Sequence, residues 1–176
     1  RDFLRSIRLT VLQDRALQNY RRLLTEGNSE ALQRQLRDRR FDRTVARAIR
    51  EGKPLTRAQI DRMVERYSER YVKYRSEVIG RTEALRAVHQ GNREMYQQAI
   101  DEGQVRQDQL ERTWVSARDE RVRGSHMRLN GLVRGFDETF PGDEGEIRFP
   151  GDPDAPAAET VQCRCALTTI IAGPLD

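Results

Sequence analysis

Two cysteines and one histidine in the last third of the chain carry ligand atoms that could act together. His126 offers one imidazole, and Cys163 and Cys165 offer two thiols. Imidazole nitrogen and thiolate sulfur are the ligands that zinc prefers, so these residues could hold a structural zinc ion, with Asp119 or water as the fourth ligand. The alternative is a purely structural cluster, in which the cysteines are buried as small apolar residues and His126 bonds to a backbone carbonyl.

The spacing of the two cysteines argues against a disulfide bond. Residues i and i+2 of a strand lie on one face, so both thiols would point to the same side. Their Cα atoms would then be about 6.6 Å apart, at the long edge of disulfide geometry. A single Cys-x-Cys pair is also not the framework of a disulfide-rich secreted protein. We therefore expect free thiols and a reducing cytosol as the compartment.

A second group of residues could support hydrolysis. Asp119, Arg121, Arg123 and His126 lie close together along the chain. His126 could act as a general base while an arginine steadies a phosphate, as in a nuclease. Such a site needs a second acid or a metal opposite the histidine, and the sequence does not single one out. Asp119 is equally suited to cap a helix, and the arginines to form ion pairs, so the sequence favours the structural interpretation.

Three further residues lie on a predicted helix upstream of this region. Arg81 and Glu83 stand two positions apart and therefore face different directions. We expect one of them to pair with the C-terminal region and the other to face solvent. His89 stands alone on the same helix and is expected to face water.

The basic residues are almost all arginines and are unevenly distributed. Arginine accounts for 30 of the 32 basic residues. Residues 1–50 carry 13 basic and 6 acidic side chains, whereas residues 103–176 carry 9 and 13. Because guanidinium groups fit phosphate and carboxylate, this predicts an N-terminal face for nucleic acid or an acidic protein, although a GC-rich genome would also explain the arginine excess. The candidate contact residues are Arg34, Arg37, Arg39, Arg40, Arg43 and Arg47.

Helical periodicity organises the first half of the chain. Residues 3–24 place apolar side chains on one stripe, and Gly27 and Asn28 are suited to end this helix and begin another. The second helical segment is interrupted near residues 37–42, where Asp42 is a candidate cap for a fresh start. The stripe of the first helix consists of Leu4, Ile7, Val11, Leu12, Ala16, Tyr20, Leu23 and Leu24.

A longer helix is predicted over residues 56–102. Thr56 and Gln59 form a capping box at its start. Tyrosines and apolar side chains then recur every three or four positions, which predicts a packing seam and not a surface for stacking bases. Gly80 and Gly91 weaken the pattern and indicate a kink or a break between two helices.

After residue 103 the periodicity changes to that of short strands divided by glycine and proline turns. The predicted fold class is therefore α+β, with long N-terminal helices followed by a small C-terminal module that docks on the helix carrying Arg81 and Glu83. The predicted strands are residues 113–117, 132–133, 146–149 and 163–171, and residues 119–128 are predicted as a short helix with Asp119 near its N-cap. The predicted domains are a basic helical arm at 1–55, a long helix or helix pair at 56–102, and the α+β module at 103–176.

Several motifs follow one another in a recognisable order. A Trp-x-x-Ala-x-Asp-x-x-Val-Arg-x-x-His run begins at Trp114, a Phe-Pro-Gly-Asp-Pro turn begins at Phe149, and a Cys-Arg-Cys motif ends at Cys165. Over about residues 56–170 the chain resembles the phage Mu F-protein-like minor head proteins, the phage head morphogenesis family. One departure is Gln162, where the family pattern usually has Asn. The motif residues are Arg81, Glu83, Trp114, Asp119, Arg123, His126, Cys163 and Cys165.

This resemblance implies a minor capsid protein of a tailed phage or prophage that acts in head morphogenesis and is not an enzyme. The implied partners are the portal protein, the major capsid or scaffold protein, and packaged double-stranded DNA bound without sequence preference. The implied location is the capsid interior near the portal, and the host cytoplasm during assembly, with no membrane contact. The alternative is a metal-dependent nuclease or toxin-like enzyme that uses Asp119 and His126.

Overall fold

A computed structural model describes residues 9–173 of the chain. Backbone proximity divides the protein into two compact units, Arg1–Glu77 and Val78–Asp176. The fold is α+β, as the sequence predicts, because helices precede a small antiparallel sheet. Within the described part of the chain, no helix combines the length and apolar character that crossing a membrane requires. The α-helices are α1 Val11–Thr25, α2 Asp42–Glu51, α3 Arg57–Asp101, α4 Gly124–Arg128 and α5 Ala157–Thr160, and the strands are β1 Leu110–Val115, β2 Val133–Gly135, β3 Phe140–Pro141, β4 Glu146–Ile147 and β5 Ala166–Ile171.

The first unit begins with α1, whose ends are both set by local side chains. The hydroxyl of Thr10 accepts from the N–H of Gln13, and the Gln13 side chain accepts from the N–H of Thr10, which satisfies two amides that the helix leaves open. At the other end, Gly27 adopts a φ of +64°, the left-handed conformation that terminates helices. Asn28 then caps the next turn by accepting from the N–H of Glu30, as the sequence predicts.

The segment after α1 is less helical than predicted. It forms two short 3₁₀ helices, Ser29–Gln33 and Arg39–Phe41, before α2 begins. The predicted cap Asp42 is the first residue of α2 and makes a bidentate ion pair with Arg37, with both N–O distances 2.9 Å. Asp38 performs the capping role instead, since its carboxylate accepts from the N–H of Arg40.

The core of the first unit is apolar and helical. The rings of Tyr20 and Tyr67 lie 4.4 Å apart, and Tyr71 packs edge-on against Tyr67, so these tyrosines pack as predicted. Tyr74, the next tyrosine of the predicted seam, is 46% exposed. Val11 and Leu12 were expected on the packed stripe of α1, but they are 71% and 74% exposed. Leu4 and Ile7 lie outside the described residues. The buried set is Tyr20, Leu23, Leu24, Ala31, Val45, Ile60, Met63, Val64 and Tyr67.

The long helix α3 begins as predicted and does not break where a break was expected. Thr56 and Gln59 form the capping box at its start. The helix runs through Gly80 and Gly91 without interruption, because its interior hydrogen bonds tolerate glycine at a modest cost. Residues 57–77 of α3 belong to the first unit and residues 78–101 belong to the second.

The second unit is built on a three-stranded antiparallel sheet in which β1 is central, between β2 and β5. A separate two-stranded pair, β3 and β4, was predicted only in part, because β3 lies in what the sequence indicated as a turn. The alternation of β1 turns Leu110, Arg112 and Trp114 inward. Buried beside Trp114 are Leu129, Phe140, Ile147, Cys163 and Cys165.

The buried Arg112 binds loops to the sheet. Its guanidinium donates to the carbonyls of Gly135 at 3.1 and 2.8 Å and of Arg148 at 2.7 Å, and also to that of Glu138. Burial removes the water that would solvate the guanidinium of Arg112, and the hydrogen bonds to these carbonyls offset that loss. An arginine in the middle of the strand therefore serves as an interior crosslink.

Candidate functional site

The structure brings together the three predicted metal ligands of the second unit. His126 lies on α4, and Cys163 and Cys165 lie in the segment that leads into β5. The Nδ1 atom of His126 is 3.5 Å from Sγ of Cys163 and 3.6 Å from Sγ of Cys165. All three residues are buried, and their ligand atoms lie within 4.8 Å of one another.

The local backbone differs from the predicted strand. β5 begins only at Ala166, so the thiols do not converge through strand alternation. Instead, Gln162 adopts a φ of +58° and turns the chain just before Cys163. Because asparagine tolerates this left-handed conformation better than glutamine, the turn gives a physical reason for the Asn of the family pattern at this position. Both cysteines are free thiols, as expected.

Glu159, which the sequence analysis did not single out, holds the other face of the histidine. Its Oε2 lies 2.9 Å from Nε2 of His126 and accepts from the hydroxyl of Ser125 at 3.3 Å. Its Oε1 accepts from the N–H of Glu144 at 2.9 Å. Gly142 leaves room for this carboxylate, since a Cβ there would lie 2.9 Å from Cδ of Glu159.

These contacts shift the pKa values of the buried groups. Burial raises the pKa of Glu159, but the N–H of Glu144 and the His126 ring outweigh it, so the net pKa lies below the ordinary value. The hydrogen bond with Cys165, and to a smaller extent the His126 ring, lower the pKa of the Cys163 thiol to about 4 against the effect of burial. The same interaction with Cys163, together with burial, raises the pKa of Cys165. The two thiols therefore differ in acidity, and Cys163 is the one that ionises first.

Trp114 and His89 complete the surroundings of the thiols. The Trp114 ring stands edge-on to His126 with centroids 5.1 Å apart, and its indole N–H has no hydrogen-bond partner among the described residues. His89 was expected to face water, but it is buried and bonds to the backbone of Cys165. Burial lowers the pKa of His89, which keeps the imidazole neutral. His89 stands four positions after the partly buried Leu85 on α3, and this helical spacing is the signal that it faces the interior.

Asp119 does not join the cluster. Its carboxylate accepts from the N–H of Arg121 at 3.1 Å and pairs with Arg164 at 2.5 Å. It was predicted near the N-cap of a helix over 119–128, but α4 begins at Gly124 and Arg123 is its N-cap residue. Asp119 therefore closes a turn before the helix, and the hydrolytic pairing of Asp119 with His126 gains no support from the contacts.

An arginine-lined cleft borders the cluster on one side. Its volume is about 540 Å³. Arg123, one of its lining residues, also donates to the carbonyl of Val161, and Cys163 forms part of its wall. Four guanidinium groups around one cleft create a region of positive potential. The arginines that line it are Arg81, Arg121, Arg123 and Arg164.

Of the triplet Arg81-Thr82-Glu83, the central residue makes the contact with the C-terminal segment. One of Arg81 and Glu83 was expected to pair with the C-terminal region, but both are exposed, and Glu83 pairs instead with Arg86 on the same helix. Thr82 is buried, and its hydroxyl accepts from the N–H of Gln162 at 3.2 Å. The predicted docking of the C-terminal residues on this part of α3 is therefore present within the second unit, with Thr82 as the contact residue.

The six arginines predicted as contact residues in the first unit divide into two groups. Arg34, Arg37 and Arg40 are engaged internally with Asn19, Asp42 and Asp38. Arg39, Arg43 and Arg47 are exposed and make no ion pair among the described residues, and the same holds for Arg50, which the sequence analysis did not include. We call Arg39, Arg43, Arg47 and Arg50 the basic face.

The comparisons with known proteins agree with the order of the motifs. The family model described as Phage Mu protein F like protein matches residues 17–168, nearly the whole chain. No curated protein and no solved structure shows significant similarity to it. The chain therefore belongs to the Phage Mu protein F like family, and this membership indicates a phage head morphogenesis protein.

Proposed function

We propose that this protein is a minor capsid protein of a tailed phage or prophage that contacts packaged double-stranded DNA through the basic face. In this role it acts by binding and not by catalysis. It meets the portal protein and the major capsid or scaffold protein during assembly in the host cytoplasm, and it stays in the capsid interior near the portal. Membership in the Phage Mu protein F like family supports the assembly role.

The observation that carries the DNA contact is the geometry of the basic face. Arg43, Arg47 and Arg50 follow one another at spacings of four and three on α2, so they lie along one side of the helix. They line a shallow groove of about 420 Å³ together with Thr44 and Ala46. Since none of the three is neutralised by a carboxylate among the described residues, their charge is available to a partner.

The chemistry of this face favours the nucleic-acid backbone over base recognition. Guanidinium groups bind phosphate through two parallel hydrogen bonds. The groove offers no aromatic side chain for stacking and no amide side chain for reading base edges. Binding should therefore be independent of sequence and should weaken steeply with salt, because each phosphate contact releases condensed counterions.

A binding experiment with a charge-matched control tests this proposal. The variant R43Q/R47Q/R50Q removes three charges from the basic face, and R57Q/R62Q/R66Q removes three arginines from α3 in the same unit. We expect the first variant to bind a random-sequence duplex at least tenfold more weakly at low salt, as measured by fluorescence anisotropy, because three phosphate contacts are lost. The second variant should stay close to the unmodified protein.

Two results would contradict the proposal. An equal loss of DNA affinity in both variants would show that binding depends on the total charge of the protein and not on the basic face. Unchanged affinity in R43Q/R47Q/R50Q would remove α2 from the DNA contact. The assembly role is tested separately by co-sedimentation with the portal protein of the same phage or prophage, where absence of binding would contradict the portal contact.

A further inference from the structure

The distances in the thiol–imidazole cluster match those around a tetrahedral zinc ion. With Zn–N about 2.05 Å, Zn–S about 2.3 Å and tetrahedral angles, the nitrogen and sulfur ligands of one zinc are separated by about 3.6 Å. The structure places Nδ1 of His126 at 3.5 Å from one sulfur and at 3.6 Å from the other. Both separations therefore leave the space that a shared ion needs.

A hydrogen-bond explanation accounts for only one of the two contacts. The carboxylate of Glu159 at 2.9 Å holds the proton of His126 on Nε2, so Nδ1 can make only one directed hydrogen bond, whether it accepts from a thiol or donates to a thiolate. One sulfur can make that bond, but two sulfurs approach Nδ1 at nearly equal distance. A cation between Nδ1 and the two sulfurs satisfies all three ligand atoms at once.

The surroundings also suit a bound cation with two thiolate ligands. A carboxylate on the far nitrogen of a histidine is the usual support of a zinc-binding imidazole, because it fixes the tautomer and raises ligand basicity. Trp114 packs in the same buried cluster as both cysteines, and its indole N–H is fully buried without a partner among the described residues. A thiolate sulfur, as in a zinc-bound cysteine, is a better acceptor for such a donor than a neutral thiol.

We propose that Nδ1 of His126 and the sulfurs of Cys163 and Cys165 bind one zinc ion, with Glu159 as a positioning residue. Both cysteines bind as thiolates, so two thiol protons pass to solvent when the ion enters. The fourth ligand is water or a small ligand, and the side facing the arginine-lined cleft, where Cys163 forms the wall, is its entry path. The ion would fasten α4 to the segment before β5. This proposal rests on the cluster alone and does not depend on DNA binding.

Metal content and cobalt spectroscopy of the full chain test the site. Protein purified without chelator should contain about one zinc per chain by elemental analysis. After removal of zinc, added Co²⁺ should give the intense absorption of cobalt–thiolate charge transfer and the visible bands of a tetrahedral ion. C163S and C165S should each weaken the charge-transfer band, and H126N should shift the visible bands.

The positioning role of Glu159 has its own variant and control. E159Q should keep one zinc per chain at saturation but bind zinc about 10–100-fold more weakly in competition with a chromophoric chelator, because the carboxylate no longer supports the imidazole. E120Q, an exposed carboxylate nearby in sequence, should leave the affinity unchanged. Equal affinities for E159Q and the unmodified protein would remove Glu159 from the proposal.

Failure of the site itself has a distinct signature. Zinc well below one per chain, together with no cobalt band in the folded unmodified protein, would show that the cysteines are packing residues joined to His126 by hydrogen bonding. If the cysteine variants do not fold, the cobalt spectrum of the unmodified protein and the affinity of E159Q still decide between these outcomes.

Discussion

The two units of the protein are stabilised in different ways. The core of the first unit is a set of aliphatic and tyrosine side chains from helices, and Asp38 is its only buried charged or polar residue among those described. The second unit buries nine such residues among those described. Those nine are Thr82, His89, Arg112, Ser116, Ser125, His126, Asp152, Glu159 and Thr160.

The first unit therefore carries its distinctive residues on its surface, and the second unit carries them in its interior. An apolar helical core tolerates many substitutions that conserve volume, so few particular residues are required in the interior of the first unit. The arginines of the basic face lie on its surface. A small sheet with short strands cannot bury enough apolar area, so the second unit depends on hydrogen bonds in its interior. Substitutions should therefore act through volume in the first unit and through polar pairing in the second.

The largest effect is expected from a cavity in the first unit. Leu23 is fully buried on α1, and Leu23→Ala should lower the free energy of unfolding by about 2–5 kcal/mol because it loses apolar contacts and leaves a void. Leu12 is 74% exposed on the same helix, so Leu12→Ala should change stability by less than about 0.5 kcal/mol. Chemical denaturation of both variants measures the difference, and similar losses would show that α1 does not pack as described.

A near-isosteric change should be costly in the second unit. Asp152 is buried and accepts from the N–H and side chain of Arg148 and from the N–H of Asp154. Asp152→Asn should lower the free energy of unfolding by about 1–3 kcal/mol, since charge-assisted bonds are lost without a change of volume. Asp154→Asn is the control, because its exposed carboxylate pairs with the same arginine. A tolerated Asp152→Asn would remove the contrast between the two units.

Asp38 is the exception in the first unit and gives it a dependence on pH. The hydrogen bonds from Arg40 lower the pKa of Asp38 from 3.8 to about 2. Because the folded pKa is depressed, the stabilisation is complete above the ordinary value of 3.8 and is lost as pH falls through about 2. The stability difference between the unmodified protein and Asp38→Asn should therefore shrink across this window in urea titrations. A stability difference that stays constant across this pH range would contradict an ionised Asp38 in the folded protein.

The smallest effect is expected on the exposed side of α3. A Cβ added at Gly91 meets no atom within 4 Å, and its backbone is helical. Gly91→Ala should therefore raise the free energy of unfolding by about 0.5–1 kcal/mol, because alanine loses less conformational entropy in a helix. Thermal denaturation measures the gain, and a loss of stability would show a packing role for this glycine.

Local sequence signals predicted most of the helical part. The capping box at Thr56 and the stop at Gly27 depend on neighbours a few positions away, which a sequence displays directly. The predicted stripe failed at Val11 and Leu12, and the segment after Asn28 formed 3₁₀ turns instead of a helix. Periodicity indicates a helical face, but tertiary packing decides how much of that face is covered.

The site could be predicted in part, because its ligands have distinctive chemistry and its support does not. Histidine and a Cys-x-Cys pair stand out among 176 residues. Glu159 is one of 28 acidic residues, and only the fold places it against His126. The burial of Arg112 could likewise be predicted only from its inward position in the alternation of β1.

The salt dependence of DNA binding tests the basic face most directly. The logarithm of the association constant falls with the logarithm of salt concentration by about 0.9 per phosphate contact. If Arg43, Arg47 and Arg50 each contact a phosphate, the slope for R43Q/R47Q/R50Q should be smaller than that of the unmodified protein by about 2.7. Identical slopes for the two proteins would contradict the account.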